Sequence, residues 1–228
     1  EVDAYVSGRV SDIIKDEGVT VESDAAYVQG IFGIGGEARG DLEIVSGSRD
    51  SELTIEDIKE SHSGKIIVGG SFIGIDAYKK ALELKVRGVV VGGFNYYDLE
   101  EVLGYRLGVA ITGTENLETS LVVTEGYGNI KMSERTYNLL KLHDGKFVSI
   151  NGATQIRAGV IRPEIVIPLE KGEISDVIDA KERNLGMEID SLVRVIRAPF
   201  FGKIGKVVDL PSDLKRMESE TMVRVAEI

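Results

Sequence analysis

Between Gly64 and Gly128 the chain repeats one pattern: a short run of β-branched residues, closed by glycine or a small polar residue. The runs are Ile66–Val68 before Gly69, Gly70 and Ser71, then Val89–Val91 before Gly92, Gly93 and Asn95. Val109–Ile111 precedes Thr112, Gly113, Thr114 and Glu115, and Leu121–Val123 precedes Thr124, Glu125 and Gly126. Runs of this length bounded by turn residues predict buried strands. Between them the apolar spacing turns helical. Asp76 is placed to cap a helix carrying Tyr78, Ala81, Leu82 and Val86 on one face, with Gly88 just past its end. Asp98 is placed to cap a shorter helix with Leu99, Val102 and Leu103, closed by Gly104. Strand, helix, strand, helix, strand is the opening of a doubly wound sheet.

The same reading extends outward. A helix is expected from Ser133 to about Leu142, then a strand over Lys146–Asn151, then alternation around Ile156, Val160, Ile161, Ile165, Val166 and Ile167 up to Pro168. Residues 1–45 read as all-β, with a turn at Lys15–Gly18 leading to the alternating Val19–Glu22. Five glycines between Gly30 and Gly40 allow tight bends or close backbone approach. A phosphate loop would need Gly-Lys-Ser/Thr there, and the chain has Gly-Gly-Glu. Residues 191–228 form a further all-β stretch. The division expected is a small β module at 1–45, a connection at 46–63, an α/β domain at 64–168, a charged link at 169–190 and a β-barrel at 191–228. The fold class is therefore α/β. A central doubly wound, mostly parallel sheet is flanked by a small N-terminal β module and a C-terminal barrel.

Composition narrows the chemistry. With 228 residues, 43% of them hydrophobic, a sizeable core can be buried. Cysteine is absent, which excludes disulfides, thiolate metal sites and cysteine nucleophiles. The two histidines, His62 and His143, lack ligand spacing, so no metal site is expected. No apolar run approaches the ~20 residues of a membrane span. The chain opens on Glu1 without a signal-peptide pattern, and reads as cytoplasmic and as the C-terminal part of a longer protein. The net charge of −11 is uneven: residues 1–60 hold 15 acids against 5 bases. That argues against nucleic-acid binding by the chain as a whole.

In open α/β sheets ligands lie beyond the carboxyl ends of the strands. The residues delivered there are Gly69, Gly70, Ser71, Gly92, Gly93, Asn95, Thr112, Gly113, Thr114, Thr124 and Gly126. A later turn adds Asn151, Thr154 and Gln155, with Arg157 and Arg162 close behind. Glycines let backbone approach a ligand, and an arginine can grip a carboxylate or phosphate with two parallel bonds. Glu115 and Glu125 are the candidate acid–base pair if they converge. The bland alternative is that the glycines simply end parallel strands and the charged groups are structural or solvated. No cofactor is named. The turn Gly69–Gly74 lacks the dinucleotide fingerprint, and kinase, P-loop and serine-hydrolase signatures are missing.

Four stretches carry three resemblances. The opening GRVSDIIKDEGVTVE resembles half of a barrel-sandwich hybrid module, the scaffold of biotinyl and lipoyl domains. The attachment-lysine motif is missing, since Lys15 stands in Lys-Asp-Glu-Gly. The segment VRVIRAPFFGKIGKVVDLP resembles the KOW motif of NusG-type and ribosomal SH3-like barrels. The resemblance implies an SH3-like fold that contacts RNA or a protein partner. Arg194, Arg197, Lys203 and Lys206 form a basic patch there, with no acid between residues 191 and 208. ETSLVVTEGYGNIKMSERTYNLL and SINGATQIRAGVIRPEIVIP are similar to a bacterial and archaeal family of uncharacterised proteins. In that family a KOW-like tail follows such an α/β unit and a barrel-sandwich start. The likeness implies a domain plan and no activity.

Three functions stay open at this point. One is a soluble binding module taking an anionic small molecule at the glycine-ended edge and a protein partner, or a second copy, through its β modules. Another is an enzyme on a small anionic substrate using Glu115 or Glu125 with Arg157. The last is an RNA- or ribosome-associated factor acting through the C-terminal barrel. None involves a membrane.

Overall fold

A computed structural model describes residues 4–104, 117–155, 161–170, 187–195, 200, 203–211, 214–216, 222–223 and 225–228. The chain is mixed α/β and divides into two compact units, Glu1–Val177 and Ile178–Ile228. The first unit opens with strands β1 (Arg9–Ile14), β2 (Gly18–Glu22), β3 (Ala25–Gln29), β4 (Phe32–Ile34), β5 (Glu37–Ile44) and β6 (Glu52–Leu53). A 3-10 turn follows at Glu60–His62. Then come β7 (Ile66–Val68), β8 (Phe72–Ile73), helix α1 (Ile75–Glu83), β9 (Gly88–Phe94) and α2 (Tyr96–Leu103). The unit continues with β10 (Ser120–Tyr127), α3 (Glu134–Leu142), β11 (Phe147–Asn151) and β12 (Glu164–Pro168).

Strands β3 to β5, expected in a separate N-terminal module, hydrogen-bond into the central sheet. Its order is β3-β12-β11-β5-β7-β9-β10-β4, with β6 and β8 joined beside β9. The run β5-β7-β9-β10 is parallel. The pairs β6–β8 and β8–β9 are parallel as well, while β5–β11, β11–β12, β12–β3 and β10–β4 are antiparallel, so the sheet is mixed.

The two edge strands, β3 and β4, are separated by only Gly30 and Ile31. From Gln29 to Phe32 the chain can reach roughly 10 Å at ~3.5 Å per residue. Eight strands laid flat would hold their edges about 34 Å apart at ~4.8 Å per interval. The sheet must therefore curl until its edges approach each other. The stretch 25–34 serves both: Gly30 N donates to Pro163 O at 2.7 Å, and Ile31 N to Val123 O at 2.8 Å.

Alternate residues from β3, β5, β7, β9, β10, β11 and β12 fill one side of the sheet. Ala26, Val28, Leu42, Ile66, Val68, Val90, Val122, Val148, Ile150, Ile165 and Ile167 pack with Met132 and with Tyr137 and Leu140 of α3. Gly88 belongs here rather than to a helix end, because a Cβ on it would lie 2.1 Å from Ile150 Cδ1. The intervening Ile67, Val89, Val91, Leu121 and Val123 are fully buried too, as strands covered on both faces must be. The helix starts partly match expectation. Ser133 caps α3, accepting from Thr136 N at 3.1 Å. Asn95 rather than Asp98 caps α2, and Gly104 ends it in the left-handed region at φ 73°. Helix α1 starts after Gly74 with no side-chain cap, which leaves Asp76 in its first turn.

Among its described residues the second unit carries two antiparallel pairs. They are β13 (Leu192–Arg194) with β14 (Ile204–Lys206), and β15 (Lys215–Arg216) with β16 (Met222–Val223). A bridge links Asp209 to Glu227. Among the described residues no helix is long and apolar enough to cross a membrane.

Candidate functional site

At the ends of β7 and β9 the glycine-ended strand edge exists, and the protein's own backbone fills it. A Cβ on Gly70 would stand 2.4 Å from the carbonyl oxygens of Ser48 and Ser51. On Gly92 it would meet Ile130 O at 2.1 Å, and on Gly93, Gly128 O at 1.8 Å. These glycines therefore admit two crossing segments, 48–51 and 128–132. Hydrogen bonds fasten both. Gly92 N donates to Gly70 O at 2.9 Å, Ser71 N to Ser51 O at 2.9 Å and Ile130 N to Ser71 O at 3.3 Å. The buried Ser71 hydroxyl donates to Asp50 O at 3.0 Å, and Met132 N to Arg49 O at 3.1 Å. Gly69 N joins the ladder through Val90 O at 2.8 Å.

Glu125 is 1% exposed, and Oε1 accepts the Ser133 N–H at 2.8 Å. In a capping box the third helical residue supplies that acceptor. Here the third residue is Thr136, and a carboxylate on a neighbouring strand takes its place. The helix N-terminus carries partial positive charge, which suits a buried carboxylate. Thr124 Oγ1 donates to Val91 O at 3.3 Å, within the sheet. Beside Gly126, Tyr127 lies between Phe32 and Tyr96, with ring centroids 5.4 and 5.3 Å away. Burial, and then the neighbouring Tyr96, push its hydroxyl well above the usual tyrosine range.

The later turn gathers around Ile31–Gly33 instead. Buried Thr154 Oγ1 accepts from Gly33 N at 2.9 Å, and Arg162 Nη1 donates to Ile31 O at 2.9 Å. Asn151 Oδ1 accepts from Ala153 N at 2.9 Å, while Gln155 and Ile161 exchange both backbone bonds. Thr154 and Arg162 thus hold the Ile31–Gly33 stretch where the chain passes into β4. Thr112, Gly113, Thr114, Glu115, Arg157 and Arg197 lie outside the described residues, so the expected meeting of Glu115 with Glu125 does too. Among the described residues no group of three or more His, Asp or Glu side chains could hold a metal ion.

In the second unit Lys206 Nζ is 2.7 Å from Asp190 Oδ1, an acid just outside the window read as purely basic. Lys203 Nζ sits 5.3 Å from the centroid of the half-exposed Phe200 ring. Arg194 lies on β13, opposite Ile204.

Two further features lie away from the strand edge. His62 is buried, its Nε2 is 3.5 Å from Glu43 Oε1, and its Nδ1 accepts from Lys59 N at 3.2 Å. Burial lowers its proton affinity, Glu43 partly restores it, and Lys65 and Lys59 lower it further. The second feature is an open groove of about 1000 Å3. Arg9, Glu22 and Asp24 line it at the base of the β1–β2 hairpin, with Lys146, Phe147 and Pro168 from the sheet. The chain matches no family model, and no curated protein or solved structure is detectably similar to it.

Proposed function

We propose that this protein is a non-catalytic binding module that engages a macromolecular partner through its β surfaces. One observation carries the reading: at Gly70, Gly92 and Gly93 the strand edge where an α/β enzyme keeps its chemistry is packed with the protein's own backbone. The Glu125 carboxylate, the described candidate for acid–base work, is buried and committed to the Ser133 N–H. A group held in that way stabilises a helix start rather than relaying a proton to a substrate. The expectation of a small anion at this edge loses its footing at Gly70, Gly92 and Gly93, since the approach they permit is already used.

Native mass spectrometry before and after denaturation, with thermal shifts against nucleotides, inorganic phosphate and dicarboxylates, tests the reading. A bare chain mass and no shift are expected. An adduct released on unfolding, or an anion-induced shift abolished by Arg162→Ala, would overturn it.

A second reading, RNA contact through the C-terminal unit, is favoured by the exposed Phe200 with Lys203 over its ring. Such a pair can stack on a base and neutralise a phosphate. We read this unit as an SH3-like KOW module. The reading is supported by the sequence likeness, the β13–β14 hairpin and the Asp209–Glu227 bridge. Lys203→Glu is then expected to weaken binding of single-stranded RNA and to flatten its salt dependence. Undetectable binding at low salt would eliminate this reading.

A further inference from the structure

The β1–β2 hairpin forms its own two-stranded sheet, apart from the large one. Its register pairs Val10 with Val21, then Asp12 with Thr20 and Ile13 with Val19. Ser11 is the extra residue of a β-bulge between the first two pairs. Directly paired residues share a face, and so do residues two apart on a regular strand. Val19 and Val21 therefore share a face with their partners Ile13 and Val10. Without the bulge, Val10 and Ile13, three apart, would point to opposite sides. The bulge thus gathers four aliphatic side chains on one face and leaves Asp12, Thr20, Arg9 and Glu22 on the other, with Ile14 beside them next to the turn. That apolar face is open: Val10 is 50%, Ile13 74% and Val19 56% exposed.

A two-stranded hairpin is marginal in water without something on its apolar face. The surroundings indicate the occupant. Between Gly8 and Glu22 the acids Asp12, Asp16, Glu17 and Glu22 outnumber Arg9 and Lys15, and residues 1–60 hold 15 acids against 5 bases. Arg9 is already within 3.9 Å of Glu22, and Asp16 and Glu17 stand at the turn. A second copy would bring an acidic rim against an acidic rim. A helix is ~10 Å across, enough to cover both strands at once.

We infer that the hairpin is a docking platform for a basic amphipathic helix of a partner protein. The apolar stripe of that helix would lie on Val10, Ile13, Val19 and Val21, and its lysines or arginines would reach Asp16 and Glu17. The inference names the partner chemistry of the binding role proposed above and rests on that reading.

A labelled 14-residue leucine–lysine peptide with leucines at helical spacing serves as the probe, and a leucine–glutamate peptide of the same pattern as control. Fluorescence anisotropy at 150 mM salt is expected to show binding of the first alone. Ile13→Asp with Val19→Asp should weaken it at least tenfold. Asp16→Lys with Glu17→Lys should weaken it as well and reduce its salt dependence. Both variants change exposed side chains, so their melting temperatures should match the wild type, which a circular dichroism scan checks. Equal affinity in the Ile13/Val19 variant would overturn the inference, because bulk acidity would then explain the binding. So would a wild-type dimer in sedimentation equilibrium that Ile13→Asp splits, which would make a second copy the occupant. A small molecule released on denaturation would instead sink the non-catalytic reading and leave the peptide result standing.

Discussion

Replacing Gly93 by alanine separates a packing role for the strand-end glycines from a ligand role. The new Cβ would lie 1.8 Å from Gly128 O, 3.0 Å from Gly128 C and 3.2 Å from Ile130 N, all of them backbone atoms. A methyl group cannot approach a carbonyl oxygen much closer than ~3 Å, so the 128–130 segment must retreat by more than about 1 Å. Bonds that hold this segment are Gly128 N to Phe94 O at 2.9 Å and Ile130 N to Ser71 O at 3.3 Å. Losing both, with the buried groups left partly unsatisfied, costs about 3 kcal/mol. Restricting the unfolded chain returns roughly 0.4–1 kcal/mol. For a protein of this size the net loss lowers Tm by about 5–10 °C. Gly47→Ala is the control, because a Cβ added there would have nothing within 4 Å. Thermal unfolding followed by circular dichroism reads the difference. A Gly93→Ala protein melting within about 2 °C of the Gly47→Ala control would refute the packing argument. Gly93 would then be spared for something other than the protein's own backbone.

Three further outcomes follow from the same geometry. Glu125→Gln should cost about 1 kcal/mol in urea unfolding by removing the charge at the start of α3, and Ser133→Ala a similar amount by removing the cap. If Glu125→Gln unfolds like the wild type, the capping role is wrong. Tyr78→Phe should cost about 1–2 kcal/mol, because its hydroxyl donates to Thr119 O at 2.8 Å inside the core; an unchanged urea midpoint would contradict that bond. His62 titrates below its ordinary value of 6.5 in the folded protein, so the unfolded chain binds more protons between the two values. The stability that His62 contributes is therefore present above pH 6.5 and lost as the pH falls through the folded value. Urea midpoints from pH 7.5 to 5 should drop in the wild type and drop less in His62→Gln; parallel curves would exclude His62 as the source.

What the sequence determined by itself is the local layer. β-branched runs closed by glycine placed β7, β9 and β10, because full burial needs continuous apolar runs and the chain must then turn. Ser133, Gly104 and the Lys15–Gly18 turn likewise follow from rules that act within a few residues. Tertiary structure decided which strands are neighbours and what the glycines face. No local signal says that β3 and β4, two residues apart, sit on opposite edges of one curled sheet. Hydrogen-bond partners across the sheet come from chain stretches far apart in sequence, and the sequence-only division at 45 cut through that pairing. A Gly-Gly strand end reads the same whether a ligand or the Gly128–Met132 backbone approaches it, since both demand only a missing side chain. Glu125 is equally ambiguous in sequence. Burial against the first turn of α3 turned a candidate proton donor into a cap, and burial is a property of the assembled chain. The hairpin face follows the same rule: Val10 and Ile13 are three apart, and only the bulge in the pairing register puts them side by side.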